Sequence, residues 1–123
     1  MDKTSTSKIQ SEKILNNGIS YKTADCYYET NGDIIMARDE YDLYIAVKMR
    51  HLTPSWTLLA ILNCLPDIVN IENINYKLYF SKSNVYYMSN EMHIISYFEV
   101  SDSIDLYDCI NSMIEWINIK NNK

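Results

Sequence analysis

The sequence predicts an α+β fold: an antiparallel sheet with helices packed on one face, in the order α-β-β-β-α-β-β-α. Three observations predict it. Leu106, Tyr107, Ile110, Met113, Ile114 and Ile117 recur at helical spacing and make one apolar stripe. Tyr41–Arg50 and Glu91–Val100 alternate with period two, the mark of half-buried strands. Polar turn segments, among them Asn31-Gly32 and Ser81-Lys82-Ser83-Asn84, separate the apolar runs.

Taken in order, Met1 to about Ser11 is polar and expected to fray. Ile9, Lys13, Ile14 and Leu15 fit a short amphipathic helix stopped at Asn17-Gly18, because glycine supplies the left-handed C-cap. Tyr21, Cys26, Tyr27 and Tyr28 favour a strand, and Asn31-Gly32 signals a type I′ hairpin returning through Asp33–Arg38. After Asp39-Glu40, a third strand is expected over Tyr41–Arg50. Leu43, Ile45, Val47 and Met49 lie on one of its faces, Tyr44 and Lys48 on the other. Thr53-Pro54 reads as N-cap and first residue of an apolar helix carrying Trp56, Leu59 and Ala60, which Pro66 ends. Ile68–Ile71 reads equally as helical turn or loop. Strands follow over Tyr76–Phe80, Val85–Met88 and Glu91–Val100. The last helix is expected from Ser103 to Ile119, capped by Asp102 or Ser103.

With 123 residues, the chain (1–123) is expected to be one domain with one core. Isoleucine, asparagine, tyrosine and lysine supply 50 of those residues, a bias that AT-rich coding explains without a functional role for the tyrosines. The polar start lacks the apolar core of a signal peptide, and the longest apolar run, Leu58–Leu62, is far short of the ~20 residues a membrane span needs. Cys26, Cys64 and Cys109 are odd in number and widely spaced, which suits reduced thiols in a cytoplasmic protein better than a disulfide scaffold.

No local pattern carries catalysis. His51 and His93 lack a second histidine or cysteine at metal-ligand spacing, so no metal is expected. Gly18 and Gly32 are turn residues, leaving none for a phosphate-cradling loop. No cofactor is implied, and the chain reads as a non-enzyme. Sixteen acidic side chains against eleven basic ones give a net charge of −5, with only two arginines, which argues against nucleic acid and for a basic protein partner. Two acidic groups stand out, one over Asp25–Asp42 and one over Glu99–Glu115. The candidate partner-binding residues are Asp39, Glu40, Asp42 and Tyr44 from the first, with Asp102, Asp105 and Asp108 from the second. Tyr44, Tyr86, Tyr97 and Trp116 fall on or near faces that are otherwise polar, and exposed aromatics of this kind suit protein interfaces.

The element order resembles the type III secretion chaperone and YbjN-like fold. The resemblance spans about Lys8 to Lys120. It rests on Lys13-Ile14-Leu15-Asn16-Asn17-Gly18, Leu59-Ala60-Ile61-Leu62-Asn63, the Lys77-Leu78-Tyr79-Phe80 strand with its two successors, and Tyr97-Phe98-Glu99-Val100 followed by the Asp105–Ile117 helix. It implies two bacterial, cytoplasmic roles. One is an immunity protein encoded beside a polymorphic toxin, as in contact-dependent inhibition, which would occlude a basic nuclease. The other is a chaperone that holds a secreted effector. The partner is a protein in both, and the chain a monomer or a homodimer. No membrane or nucleic acid is involved in either.

Overall fold

The computed structural model describes residues 3–121. It is α+β, with helices and antiparallel sheets. The chain divides into two compact units, Met1–Cys64 and Leu65–Lys123, each with a sheet of its own. The junction Asn63-Cys64-Leu65-Pro66 has none of the Gly/Ser character that would mark a linker.

The first unit opens on α1 (Lys8–Asn16). Ser7 and Gln10 form a capping box: the serine hydroxyl accepts from the Gln10 amide and the Gln10 side chain accepts from the Ser7 amide. Gly18, at φ +85°, turns the chain away at its end. The expected fraying before α1 is corrected by burial. Ser5 and Thr6 are fully enclosed (Met1 and Asp2 lie outside the described residues). The Thr6 amide donates to the Trp56 carbonyl, and the Thr6 hydroxyl accepts from the Trp56 amide. Ser5, Thr6, Ser11 and Ser55 hydroxyls then bond one another at 2.8 to 3.3 Å. Polar composition had suggested solvent, but these hydroxyls satisfy each other and are buried.

β1 (Cys26–Tyr28) is the centre of a three-stranded sheet, between β2 (Ile34–Met36) and β3 (Pro54–Ser55). The hairpin is where Asn31-Gly32 places it, but its turn is not type I′. Gly32 alone has positive φ, the Gly32 amide donates to the Glu29 carbonyl, and the Glu29 amide donates to the Asp33 carbonyl. That is a type I turn closed by a left-handed glycine.

The strand expected over Tyr41–Arg50 is helical. α2 (Glu40–Tyr44) runs into one π turn over Ile45–Met49. Asp39 is the N-cap, accepting from the Asp42 amide at 2.8 Å, and Asp42 in turn accepts from the Arg38 amide at 2.9 Å. This cap starts a helix before any strand partner is met. Leu43 and Ala46, three residues apart, are the buried pair. The next helix also starts later than Thr53-Pro54. Pro54 pairs with Tyr27 as a strand residue, while Thr57 caps α3 (Leu58–Leu62). Asp25 fixes that cap: its carboxylate accepts from both the Thr57 amide and the Thr57 hydroxyl. Trp56, fully buried between strand and helix, donates its indole N–H to the Thr23 hydroxyl at 2.9 Å.

The second unit is a four-stranded antiparallel sheet in sequential order: β4 (Ile68–Ile71), β5 (Ile74–Phe80), β6 (Asn84–Met88) and β7 (Ile94–Glu99). The undecided Ile68–Ile71 segment is its edge strand, paired with β5. α4 (Leu106–Asn121) packs on one face, where Tyr87 stacks on Trp116 with ring centres 6.1 Å apart. Its cap is Asp105, not Asp102 or Ser103. The Asp108 amide donates to the Asp105 carboxylate while the Asp105 amide donates to the Asp108 carboxylate. The reciprocal pair does the work of a capping box with two aspartates.

Removing the central hydroxyl of the N-terminal knot tests this picture. Thr6→Val keeps the shape but strands the Trp56 amide and the Ser11 hydroxyl, while Ser55 keeps Ser5 and the Thr6 carbonyl. Urea unfolding of the variant is expected to show a loss of about 1–3 kcal/mol, against little change for the exposed Thr30→Val.

Candidate partner-binding surfaces

The first acidic group converges on α2. Asp39 and Glu40 are exposed, and Asp42 lies beside Arg38 at 3.7 Å. Glu40 and Tyr44 sit one turn apart on the same side, with the highly exposed Tyr41 beside them. Together with Tyr21, Lys22 and Leu43 they line a shallow groove of ≈ 390 Å³. Lys48 lies over the Tyr21 ring at 5.0 Å. Of the three carboxylates Asp42 is paired with Arg38, and Lys22 shares the groove lining with Glu40, so the surface is aromatic and of mixed charge.

The second group is spread out. Asp102 is exposed in the short turn between Ser101 and Ile104, whereas Asp105 and Asp108 are occupied in capping α4. Charge nevertheless concentrates in this half of the chain. Leu65–Lys123 has eight acidic and four basic side chains, and Met1–Cys64 has eight and seven.

Cross-strand register supplies a feature that sequence reading only half anticipates. Tyr79 of β5 pairs with Tyr86 of β6, and Tyr86 with Tyr97 of β7. The first two rings stack at 5.4 Å between centres, and the second pair is tilted at 5.8 Å. Tyr87 turns inward to α4, so its neighbour Tyr86 and the whole ladder lie on the opposite face of the sheet. Tyr79 and Tyr97 are 37% and 44% exposed, respectively. The ladder ends in polar contacts: the Tyr97 hydroxyl donates to Glu99 at 3.1 Å and accepts from the Asn84 amide at 3.3 Å. Tyr86 and Tyr97 are therefore on a surface, as their sequence positions suggest. Trp116 is half-buried: one side packs against Tyr87 and it also lines the cleft beside β4. Tyr79 was missed, although aligning the three strands about their turns would have placed it opposite Tyr86.

Other chemistry is thinly represented. Among the described residues no cluster of His, Cys, Asp or Glu could hold a metal ion. A cleft of ≈ 500 Å³ between β4 and α4 is lined by Val69, Ile71, Trp116 and Ile117, with Glu72 and Lys120 at its edge. No helix among the described residues is long and apolar enough to cross a membrane. The thiols are held in the unreactive form. Burial, then the charge of Asp25, push Cys26 up to about 12, and burial raises Cys64 and Cys109 as well. Cys26 further donates to the Met36 thioether at 3.1 Å. Its thiol ionises more easily in the unfolded chain than in the folded one, so the unfolded state gains as pH rises above about 8.5. Folding stability is expected to fall between that pH and 12, with a smaller fall in Cys26→Ala. Denaturant midpoints measured across the alkaline range check this.

No family model matches the chain, no curated protein matches it and no solved structure matches it.

Proposed function

We propose that this chain is a non-enzymatic protein-binding domain. It acts in the bacterial cytoplasm as an immunity protein that binds a cognate toxin and occludes its active site, the toxin being a basic nuclease domain. The observation that carries the reading is the Tyr79–Tyr86–Tyr97 ladder. Three rings, one pair stacked and the next tilted, stand on a partly exposed sheet face in the half of the chain that holds most of the net negative charge. Tyrosine offers a large rigid contact with a polar tip at little entropic cost, and it stacks well with arginine. A basic partner would be drawn by the acidic half and anchored on the rings. Mechanism reduces to capture followed by steric occlusion, so no group in the chain needs a shifted pKa. The α2 surface, with Glu40, Tyr41 and Tyr44, is a second contact area for the same class of partner.

The alternative, a secretion-type chaperone, draws support from one observation, the exposed apolar strand Ile34–Met36, since chaperones of extended segments use sheet edges.

The test starts with affinity capture from the native host and mass spectrometry of the retained protein, followed by reconstitution. A basic toxin domain held at stoichiometric yield, with its activity blocked, supports immunity. A secreted effector with an unfolded N-terminal segment supports the chaperone instead. In the first case Tyr86→Ala with Tyr97→Ala should weaken binding by roughly thirtyfold or more, as interface tyrosines do. Glu40→Lys and Asp102→Lys leave the helix caps intact and should slow association at low salt, an effect that fades as salt is added. A partner bound equally well by all these variants would sink the surface assignment.

A further inference from the structure

We propose that the cleft between β4 and α4 binds a free apolar amino acid in its zwitterionic form, phenylalanine being the type ligand. The inference goes beyond the function proposed above and does not rest on it.

The walls of the cleft are apolar. Val69 and Ile71 alternate along β4 and are half-buried, and Val69 pairs across the register with the buried Tyr76. They therefore lie on the sheet face that α4 covers. The facing side of α4 supplies Trp116 and Ile117, both half-buried, with Lys120 one turn beyond Trp116. The space between strand and helix is ≈ 500 Å³, within the ~300–1,000 Å³ usual for small-molecule sites. Tyr87 takes one side of the Trp116 ring, and the ring also lines the cleft, so aromatic surface is left for a ligand.

The polar groups of the cleft lack partners in the chain. Lys120 is half-buried, yet among the described residues its ammonium has no ion pair or hydrogen bond, and neither has the Glu72 carboxylate. The Trp116 indole N–H also donates to nothing among them, whereas the Trp56 indole bonds Thr23. Glu72 is placed by its turn. Glu72 and Asn73, at φ +53° and +69°, make a two-residue connection of the type I′ kind between the paired Ile71 and Ile74. A glutamate is strained at that first position, which asparagine or glycine suits better. It nevertheless sets a carboxylate in the lining, opposite in sign to Lys120.

This charge pattern selects the occupant. A neutral apolar solute leaves both charges unpaired, a bare carboxylate meets Glu72, and a bare amine meets Lys120. An amino acid presents both signs at one carbon. Its carboxylate accepts from Lys120 and the Trp116 N–H, its ammonium donates to Glu72, and its side chain covers Val69, Ile71, Ile117 and the Trp116 ring. Charge-assisted hydrogen bonds beside an apolar wall give such a ligand its orientation.

Isothermal titration calorimetry of the full chain with L-phenylalanine tests the proposal. Two truncated ligands accompany it, 3-phenylpropanoate without the ammonium and 2-phenylethylamine without the carboxylate. Saturable one-to-one binding of phenylalanine is expected, with each truncated ligand weaker by about tenfold or more. Glu72→Gln should erase the preference for phenylalanine over 3-phenylpropanoate, and Lys120→Met the preference over 2-phenylethylamine, with far-UV circular dichroism unchanged in both. No saturation by phenylalanine up to its solubility overturns the proposal. So does equal binding of the three ligands to the unaltered chain, a result that needs no variant, or a preference that survives both substitutions.

Discussion

The first unit hangs on a small set of buried hydroxyls. Ser5, Thr6, Ser11 and Ser55 are almost wholly out of water, and each finds a partner among the others or in the main chain. A buried polar group left unpaired costs a few kcal/mol, so the four must form together or not at all. That requirement pins the chain before α1 against β3. It also sets where Trp56 goes, because the Trp56 amide and carbonyl both bond Thr6. With Trp56 fixed, its indole reaches Thr23, and the adjoining Thr57 reaches Asp25 and caps α3. A stretch with no apolar residue thus organises a core.

This knot shows why part of the fold was hidden from the sequence. Period and caps are local signals, and where they ruled, the reading succeeded: the α1 stop at Gly18, the three strands β5 to β7, and the stripe of α4. Where two local signals competed, the weaker-looking one won. In Tyr41–Arg50 the alternation of Leu43, Ile45, Val47 and Met49 is genuine, yet Asp39 and Asp42 cap a helix, and the Leu43–Ala46 pair suffices to bury it. At Thr53-Pro54 a good helix start was present, but Thr57 had a better one, because Asp25, distant in sequence, holds its amide and hydroxyl. No reading of neighbours could supply that. The hydroxyl knot is likewise long-range, joining residues about fifty positions apart.

The candidate surfaces were legible to a similar degree. Tyr86 and Tyr97 could be recognised as outward by alternation alone. Their union with Tyr79 needed strand register, which the turns Ser81–Asn84 and Ser89–Asn90 set but do not advertise. Carboxylates were harder to read. Asp39, Asp42, Asp105 and Asp108 stood out as acidic clusters, and all four are used in starting helices. Aspartate is a favoured cap because its short side chain reaches the exposed amides and its charge suits the positive end of the helix. Clustering of acids in this chain is thus partly a statement about helix starts, and of the six candidate carboxylates only Glu40 and Asp102 remain without that duty.

What distinguishes a contact surface from a merely wet one is the cost of leaving it bare. Stacking the three tyrosines on one another recovers about 0.5–1.5 kcal/mol per pair, which lets so much aromatic surface stand on an open sheet face without collapsing inward. The hydrogen bonds from Asn84 to Tyr97 and from Tyr97 to Glu99 fix the end of the row, so the rings are ordered before any partner arrives. Preorganised rings lose little freedom on binding, and that saving adds directly to affinity.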